Sequence, residues 1–353
     1  MKKILFSAYK MDLGGIETAL VTLLKSIYNK YEITLVLEEK EGIFLKEIPD
    51  NIKIITYKPS KIKNVFFRKV SNFFKQLIFK VKYKNKFDFS ACYATYSYPA
   101  SFVARCASKN SCLWVHNDYM NFYNNDKKVY KSFFEKLKAE DYRKIVFVSN
   151  NDKDVFIKEM PELKEKCVFC NNLIDYKKIQ QKSNEPVSDL ELEPNIITFI
   201  NMGRHDEKQK KLSTKRLNDE GYIFRVIFVG DGNDSLEYKK QAQDITNIKF
   251  LGTKKNPYPY LKMADVLLMS SDFEGYPVVF IESEILEKPI ITTNVSDSMK
   301  DIQNKFGIVV ERSEDGVYLG MKEFLEKGFI TNKFDAEKFN QDILKKVEEL
   351  IGG

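Results

Sequence analysis

The sequence predicts an α/β protein made of two units of similar size, each a parallel sheet covered by helices. Three observations predict it. Short, near-continuous apolar runs alternate with longer amphipathic ones, as strands buried on both faces and their crossover helices require. The alternation breaks at 176–195, YKKIQQKSNEPVSDLELEPN, a polar stretch with two prolines and no apolar periodicity, and then restarts. The 353 residues, 43% of them apolar, are enough for two hydrophobic cores.

In the first half, KILFSA (3–8) reads as a strand. GGIETALVTLLKSIYNK (14–30) reads as a helix, with Ile16, Ala19, Leu20, Leu23, Leu24 and Ile27 on one face. EITLVLE (32–38), IKIITY (52–57), FDFSACY (87–93), SCLWVH (111–116) and RKIVFVS (143–149) read as further strands. In the second half the strands are NIITFINMG (195–203), YIFRVIFVGDG (222–232), IKFLG (248–252), VLLMS (266–270), KPIITT (288–293) and FGIVVE (306–311). FDAEKFNQDILKKVEELI (334–351) reads as an amphipathic helix capped by Asp335. The expected organisation is a first domain over 1–175, a linker over 176–195 and a second domain over 196–333. A C-terminal helix over 334–353 would cross back to the first domain. In such sheets ligands bind beyond the carboxyl ends of the strands, so two facing units would hold a ligand in the cleft between them.

The formal net charge is +7, from 57 basic and 50 acidic side chains, a balance too even to indicate a nucleic-acid partner. Residues 2–8 form too short an apolar run for a secretory leader, and the polar YKMD follows at once. No apolar run reaches the roughly 18 residues that a membrane span needs. Five cysteines, an odd number, point to a reducing compartment. Cys167 and Cys170 form a CxxC within CVFC but lack a second pair to complete a metal site, so buried free thiols are expected.

Five segments carry candidate chemistry. DLGGIETALVTLL (12–24) puts Gly14 and Gly15 between a strand end and a helix start, either as a tight turn or as backbone N–H groups facing an anion. VHND (115–118) brings His116 to a strand's carboxyl end, where it either meets a ligand or is a satisfied structural histidine. INMGRHDEKQKKL (200–212) delivers Gly203 and Arg204, then Lys208, Lys210 and Lys211. Strand-end cations suit phosphate oxygens, and a solvated basic loop is the alternative for the lysines. FVGDGN (228–233) closes a strand at Gly230, lining a nucleotide pocket or simply turning the chain.

The fifth segment, SSDFEGYPVVFIESEILEKPIITT (270–293), places Glu274 in a Gly-Pro turn and Glu282 in the helix beyond it. Pro277 suits the first helical position, and the first-turn N–H groups are free for phosphate or sugar oxygens. Glu282, nearly two turns in, adjoins an apolar run where a carboxylate is costly without partners, for which ribose hydroxyls are suited.

These motifs, in this order, resemble the family-4 group of retaining glycosyltransferases, which have the GT-B fold. The resemblance rests on Glu274-Gly275-Tyr276-Pro277 followed by Glu282 and Lys288-Pro289, and on Gly14-Gly15, His116, Gly203-Arg204, Gly230–Gly232 and NNLID (171–175). It spans nearly the whole chain and implies two facing Rossmann-like domains with a nucleotide-sugar donor held mainly by the second. By this resemblance Glu282 holds the ribose hydroxyls, Arg204 and Lys210 neutralise the diphosphate, and Glu274 with the backbone at Gly275, Tyr276 and Pro277 holds the transferred sugar. The Gly14–Gly15 loop approaches the phosphates, Gly203 and Gly230 line the nucleotide, and His116 contacts the sugar near the anomeric carbon. His116, Glu274, Arg204 and Lys210 form the implied catalytic set. No cofactor or metal is expected, and the donor is a UDP-sugar ahead of a GDP-sugar. The implied acceptor is a saccharide or polyprenyl-linked saccharide of surface polysaccharide or capsule biosynthesis, in the bacterial cytoplasm.

Two departures stand out. The family typically has alanines after the second glutamate and a glycine before Lys-Pro. Here Ser283, Glu284 and Ile285 follow, with Glu284 read as a surface residue, and Glu287 precedes Lys288. Between Lys210 and the strand at Tyr222 the helix is expected to be at least one turn short. That shortening motivates the alternative of a non-catalytic subunit that binds a nucleotide sugar or a partner transferase.

Residues 61–86, KIKNVFFRKVSNFFKQLIFKVKYKNK, hold nine basic side chains and no acidic one. Phe66, Val70, Phe73, Phe74, Leu77, Ile78 and Val81 fit a helical stripe. Two readings stand: a helix lying on an anionic membrane surface at the inner face of the cell membrane, or a helix packed on the sheet with a solvated lysine face.

Overall fold

The apolar runs assemble into two all-parallel sheets, each in its own compact unit: residues 1–174 with 337–353, and residues 175–336. The computed structural model describes the chain apart from residues 13, 204–213, 244, 271–276 and 296.

In the first unit the elements are β1 (Lys3–Ala8), α1 (Gly15–Ile27), β2 (Glu32–Leu37), β3 (Lys53–Thr56), α2 (Val65–Tyr83), β4 (Phe89–Cys92), α3 (Tyr98–Ala107), β5 (Ser111–Val115), α4 (Tyr119–Phe122), α5 (Lys127–Lys136), β6 (Lys144–Phe147), α6 (Asn150–Glu159) and β7 (Cys167–Phe169). The second has α7 (Tyr176–Lys182), β8 (Ile197–Met202), α8 (Thr214–Asp219), β9 (Phe224–Val229), α9 (Ser235–Gln241), β10 (Ile248–Phe250), α10 (Tyr258–Met263), β11 (Val266–Met269), α11 (Val278–Ile285), β12 (Ile290–Thr293), β13 (Gly307–Val310) and α12 (Glu314–Lys327). The last helix, α13 (Ala336–Gly352), packs on the first unit.

The strand orders are β3-β2-β1-β4-β5-β6-β7 and β10-β9-β8-β11-β12-β13. Both are doubly wound, with the direction of strand addition reversing between β1 and β4 and between β8 and β11. The register of β1, Ile4 against Ile33 and Phe89, and Phe6 against Leu35 and Ala91, keeps successive side chains on opposite faces. Both faces are nonetheless buried. Ile4 and Phe6 meet α1 and α13, while Leu5 meets α3 and Phe79 of α2. This explains why the strand carries no polar alternation.

The segment 176–195 belongs to the second unit. Ile179 is buried in α7, and Leu190 joins the core with Ile200, Ile227 and Leu267. The chain leaves the first unit at Ile174, whose N–H donates to Asn340 Oδ1 at 3.0 Å and whose carbonyl accepts from Asn340 Nδ2 at 2.8 Å. That pair ties α13 to the chain crossing. All five cysteines are free, with Cys167 half-buried and the others buried.

Helix α2 departs from the packed reading. Asn64 caps it, its side chain accepting from Phe66 and Phe67 N–H. Its one buried residue is Phe79, against Tyr57, Tyr83 and Phe102. The apolar stripe is exposed along its length. The helix does dock, through Phe79 against Leu5 and Val36, but the reading in which the stripe is the packed face is overturned, because the side that docks is the opposite one.

Candidate active site

In the first unit the candidate groups sit at the carboxyl ends of β1, β2, β4 and β5, around the reversal point. Gly14 is the N-cap of α1 in an extended conformation, and Gly15 opens the helix. A Cβ at Gly14 would collide with the Glu17 carboxylate, so that side chain folds back over the loop. Tyr96 donates to Glu17 Oε1 at 3.4 Å. The positive end of α1 thus already has an anion of this chain's own beside it. Nearby, Ser97 donates to Glu38, a buried carboxyl raised above its ordinary range by burial.

His116 follows β5 directly. Its ring lies 4.5 Å, centroid to centroid, from Tyr93, which in turn lies 5.4 Å from the buried Trp114. Both ring nitrogens are buried without a hydrogen-bond partner among the described residues, and burial lowers its pKa to about 3, so it is neutral. Two unpaired buried nitrogens are costly, which disfavours a satisfied structural histidine. Further along the same edge, burial and the neighbouring Asp118 push Asp152 up to about 7.

In the second unit Gly203 ends β8 and Gly230 ends β9. Gly203 N–H donates to Val229 O at 3.1 Å, and a Cβ at Gly230 would overlap the Gly203 carbonyl. With φ of +145°, Gly230 must be glycine on both counts. The two strand ends are thereby held in backbone contact.

Helix α11 begins at Val278, with Pro277 as N-cap in an extended conformation. Pro277 therefore precedes the first helical position, and Glu282 lies just over one turn in. Tyr258, at the start of α10, donates to Glu282 Oε1 at 3.2 Å. Burial pushes the Glu282 carboxyl up to about 7, with the Tyr258 hydrogen bond acting in the opposite direction. Glu284 is buried, 1% exposed, and corrects its reading as a surface residue. Ser283 is buried too and donates to the Lys288 carbonyl at 2.9 Å, fastening the turn after the helix.

Arg204, Lys208, Lys210, Lys211, Glu274, Gly275 and Tyr276 lie outside the described residues. Of the expected site, the structure brings together Gly203 with Gly230, and Glu282 with Tyr258. Tyr258, Glu38 and Asp152 were missed, because none falls within a motif: Glu38 merely closes a predicted strand, and only the fold brings Tyr258 and Asp152 to their neighbours. Among the described residues, no group of three or more His, Cys, Asp or Glu could hold a metal ion.

Two doubly wound units with these strand ends have the GT-B architecture. Residues 194–345, most of the second unit and the start of α13, match the model of the family described as glycosyl transferases group 1. The chain is 28% identical over 254 residues to an uncharacterised glycosyltransferase of Methanocaldococcus jannaschii, covering 66% of this chain and 59% of that protein. It is 23% identical over 326 residues to a PP-undecaprenol-glycan α-1,4-N-acetyl-D-galactosaminyltransferase of Campylobacter jejuni, covering 91% of this chain and 85% of that one. Among solved structures, Anabaena HepE in complex with UDP aligns with a TM-score of 0.70 at 15% identity, covering 99% of this chain and 100% of that one.

Proposed function

We propose that this chain is a retaining, metal-independent glycosyltransferase. It moves a hexose-type sugar from a UDP-sugar to a saccharide or polyprenyl-linked saccharide in surface polysaccharide biosynthesis, at the cytoplasmic side of the membrane. The observation that carries the reading is His116, a neutral strand-end imidazole whose two buried nitrogens have no partner among the described residues. A sugar hydroxyl supplies what they lack. Glu282 supports the reading from the second unit, as a half-buried carboxyl with Tyr258 as its one donor among the described residues and lone pairs left for ribose hydroxyls. The acceptor class draws support from the undecaprenol-linked substrate in the name of the Campylobacter relative, and the uridine donor from the UDP bound to HepE.

The chemistry follows from the leaving group. The acceptor oxygen bonds to the anomeric carbon as the bond from that carbon to the diphosphate breaks. The acceptor proton passes to a diphosphate oxygen on the same face, so configuration is kept. Negative charge grows on the diphosphate, where Arg204, Lys210 and the backbone at Gly14–Gly15 stabilise it. Glu274 and the Gly275–Pro277 backbone hold the sugar, and His116 contacts it near the anomeric carbon.

Calorimetric titration with UDP and with GDP, without added metal, tests the nucleotide. Saturable binding of UDP is expected. His116→Ala is expected to keep that binding and to lose about 100-fold in transfer from a UDP-hexose to a polyprenyl-diphosphate saccharide. Absence of binding to either nucleotide would overturn the reading.

A further inference from the structure

The face of α2 that the fold leaves uncovered is opposite to the face that docks. At about 100° per residue, Phe66, Val70, Phe73, Phe74, Leu77, Ile78 and Val81 span an arc of roughly 140°. Phe79, Asn72 and Tyr83, which face the protein, lie on the far side of the helix. The stripe is therefore fully presented: Phe66 is 69% exposed and Val81 75%. Globular helices bury this stripe, and a run of exposed phenylalanines signals an absent partner. The nine basic residues of 61–86 flank it without a single acidic one, and Lys61 alone of them joins an ion pair among the described residues.

We propose that α2 lies flat on an anionic lipid surface, with this stripe in the headgroup–acyl boundary and its flanking lysines and Arg68 on lipid phosphates. Charge selects this occupant. A second copy placed face to face would set nine positive charges against nine, whereas acidic headgroups neutralise them. The helix is about 28 Å long and too polar to cross a bilayer, so it binds in the plane. The inference deepens the membrane-side placement proposed above but stands on α2 alone and needs no transferase activity.

The test is co-sedimentation of the full chain with vesicles of equal parts phosphatidylglycerol and phosphatidylcholine, against vesicles of phosphatidylcholine alone. Binding to the anionic vesicles is expected, falling as salt is raised. Phe73→Ser combined with Ile78→Ser, two exposed positions, is expected to weaken it about tenfold or more. The same variant is expected to keep the wild-type thermal midpoint and UDP affinity, which separates failure of this inference from failure of the nucleotide reading. Equal binding by the variant, or no binding to anionic vesicles, overturns the proposal. So does a wild-type dimer in sedimentation velocity that the variant abolishes, because a second copy would then cover the face.

Discussion

At the scale of single residues, burial sets the chemistry. Glu282 is raised to about 7 from 4.5 because its charged form loses solvent faster than Tyr258 compensates. The folded state therefore holds this proton more tightly than the unfolded chain does. Its contribution is complete below about pH 4.5 and is lost as pH rises through about 7. Glu282→Gln is expected to remove a loss on the order of 3 kcal/mol between those limits, read from urea midpoints across pH. Ribose hydroxyls favour the carboxylate, so UDP binding near neutrality should release a proton. The apparent enthalpy of binding would then vary with the ionisation heat of the buffer, and Glu282→Gln would abolish the variation. An enthalpy independent of buffer would detach Glu282 from the ribose. The sequence points to Glu282 through its place in a motif. Tyr258 carries no such signal, since a tyrosine following Asn-Pro reads as loop chemistry until the fold brings α10 against α11.

At the scale of elements, the turn after α11 explains one departure from the family pattern. Glu287 has φ of +56°, the left-handed region that favours glycine, where the family typically has glycine. The Ser283–Lys288 hydrogen bonds hold the turn in place regardless: Lys288 N–H to Ser283 O at 2.8 Å and Ser283 Oγ to Lys288 O at 2.9 Å. Glu287→Gly is expected to stabilise the protein by about 1 kcal/mol, measured as a shift in denaturant midpoint. A destabilised variant would mean that the side chain contributes more than the backbone conformation costs. Helix α2 makes the complementary point. Its periodicity is plain in the sequence, yet periodicity gives the width of an apolar stripe and not the direction it faces. The direction depends on Phe79, which the aromatic cluster of Tyr57, Tyr83 and Phe102 captures from the other side.

At the scale of the whole molecule, the C-terminal helix returns to the unit where the chain began. Ile343, Val347, Leu350 and Ile351 of α13 enter the core that holds Ile4, Phe6 and Leu24. Ile351→Ala is expected to cost about 2–5 kcal/mol and to lower the calorimetric transition of the first unit while leaving that of the second in place. A single transition shifting as a whole would show the two units to be thermodynamically coupled. The alternation of apolar strands and amphipathic helices, and hence two parallel α/β units, was determined by the sequence itself, because burial on both faces imposes a composition that local reading detects. So was the place of Gly203 and Gly230 at the ends of β8 and β9, since a glycine turn after an apolar run is a local constraint. Only the tertiary structure decided that 176–195 folds into the second unit, that Glu284 is buried and that the stripe of α2 faces outward. It also decided that the nitrogens of His116 go unpaired among the described residues and that Glu282 meets Tyr258. Each of these depends on which distant side chains exclude water from a position, and neither period nor motif encodes that.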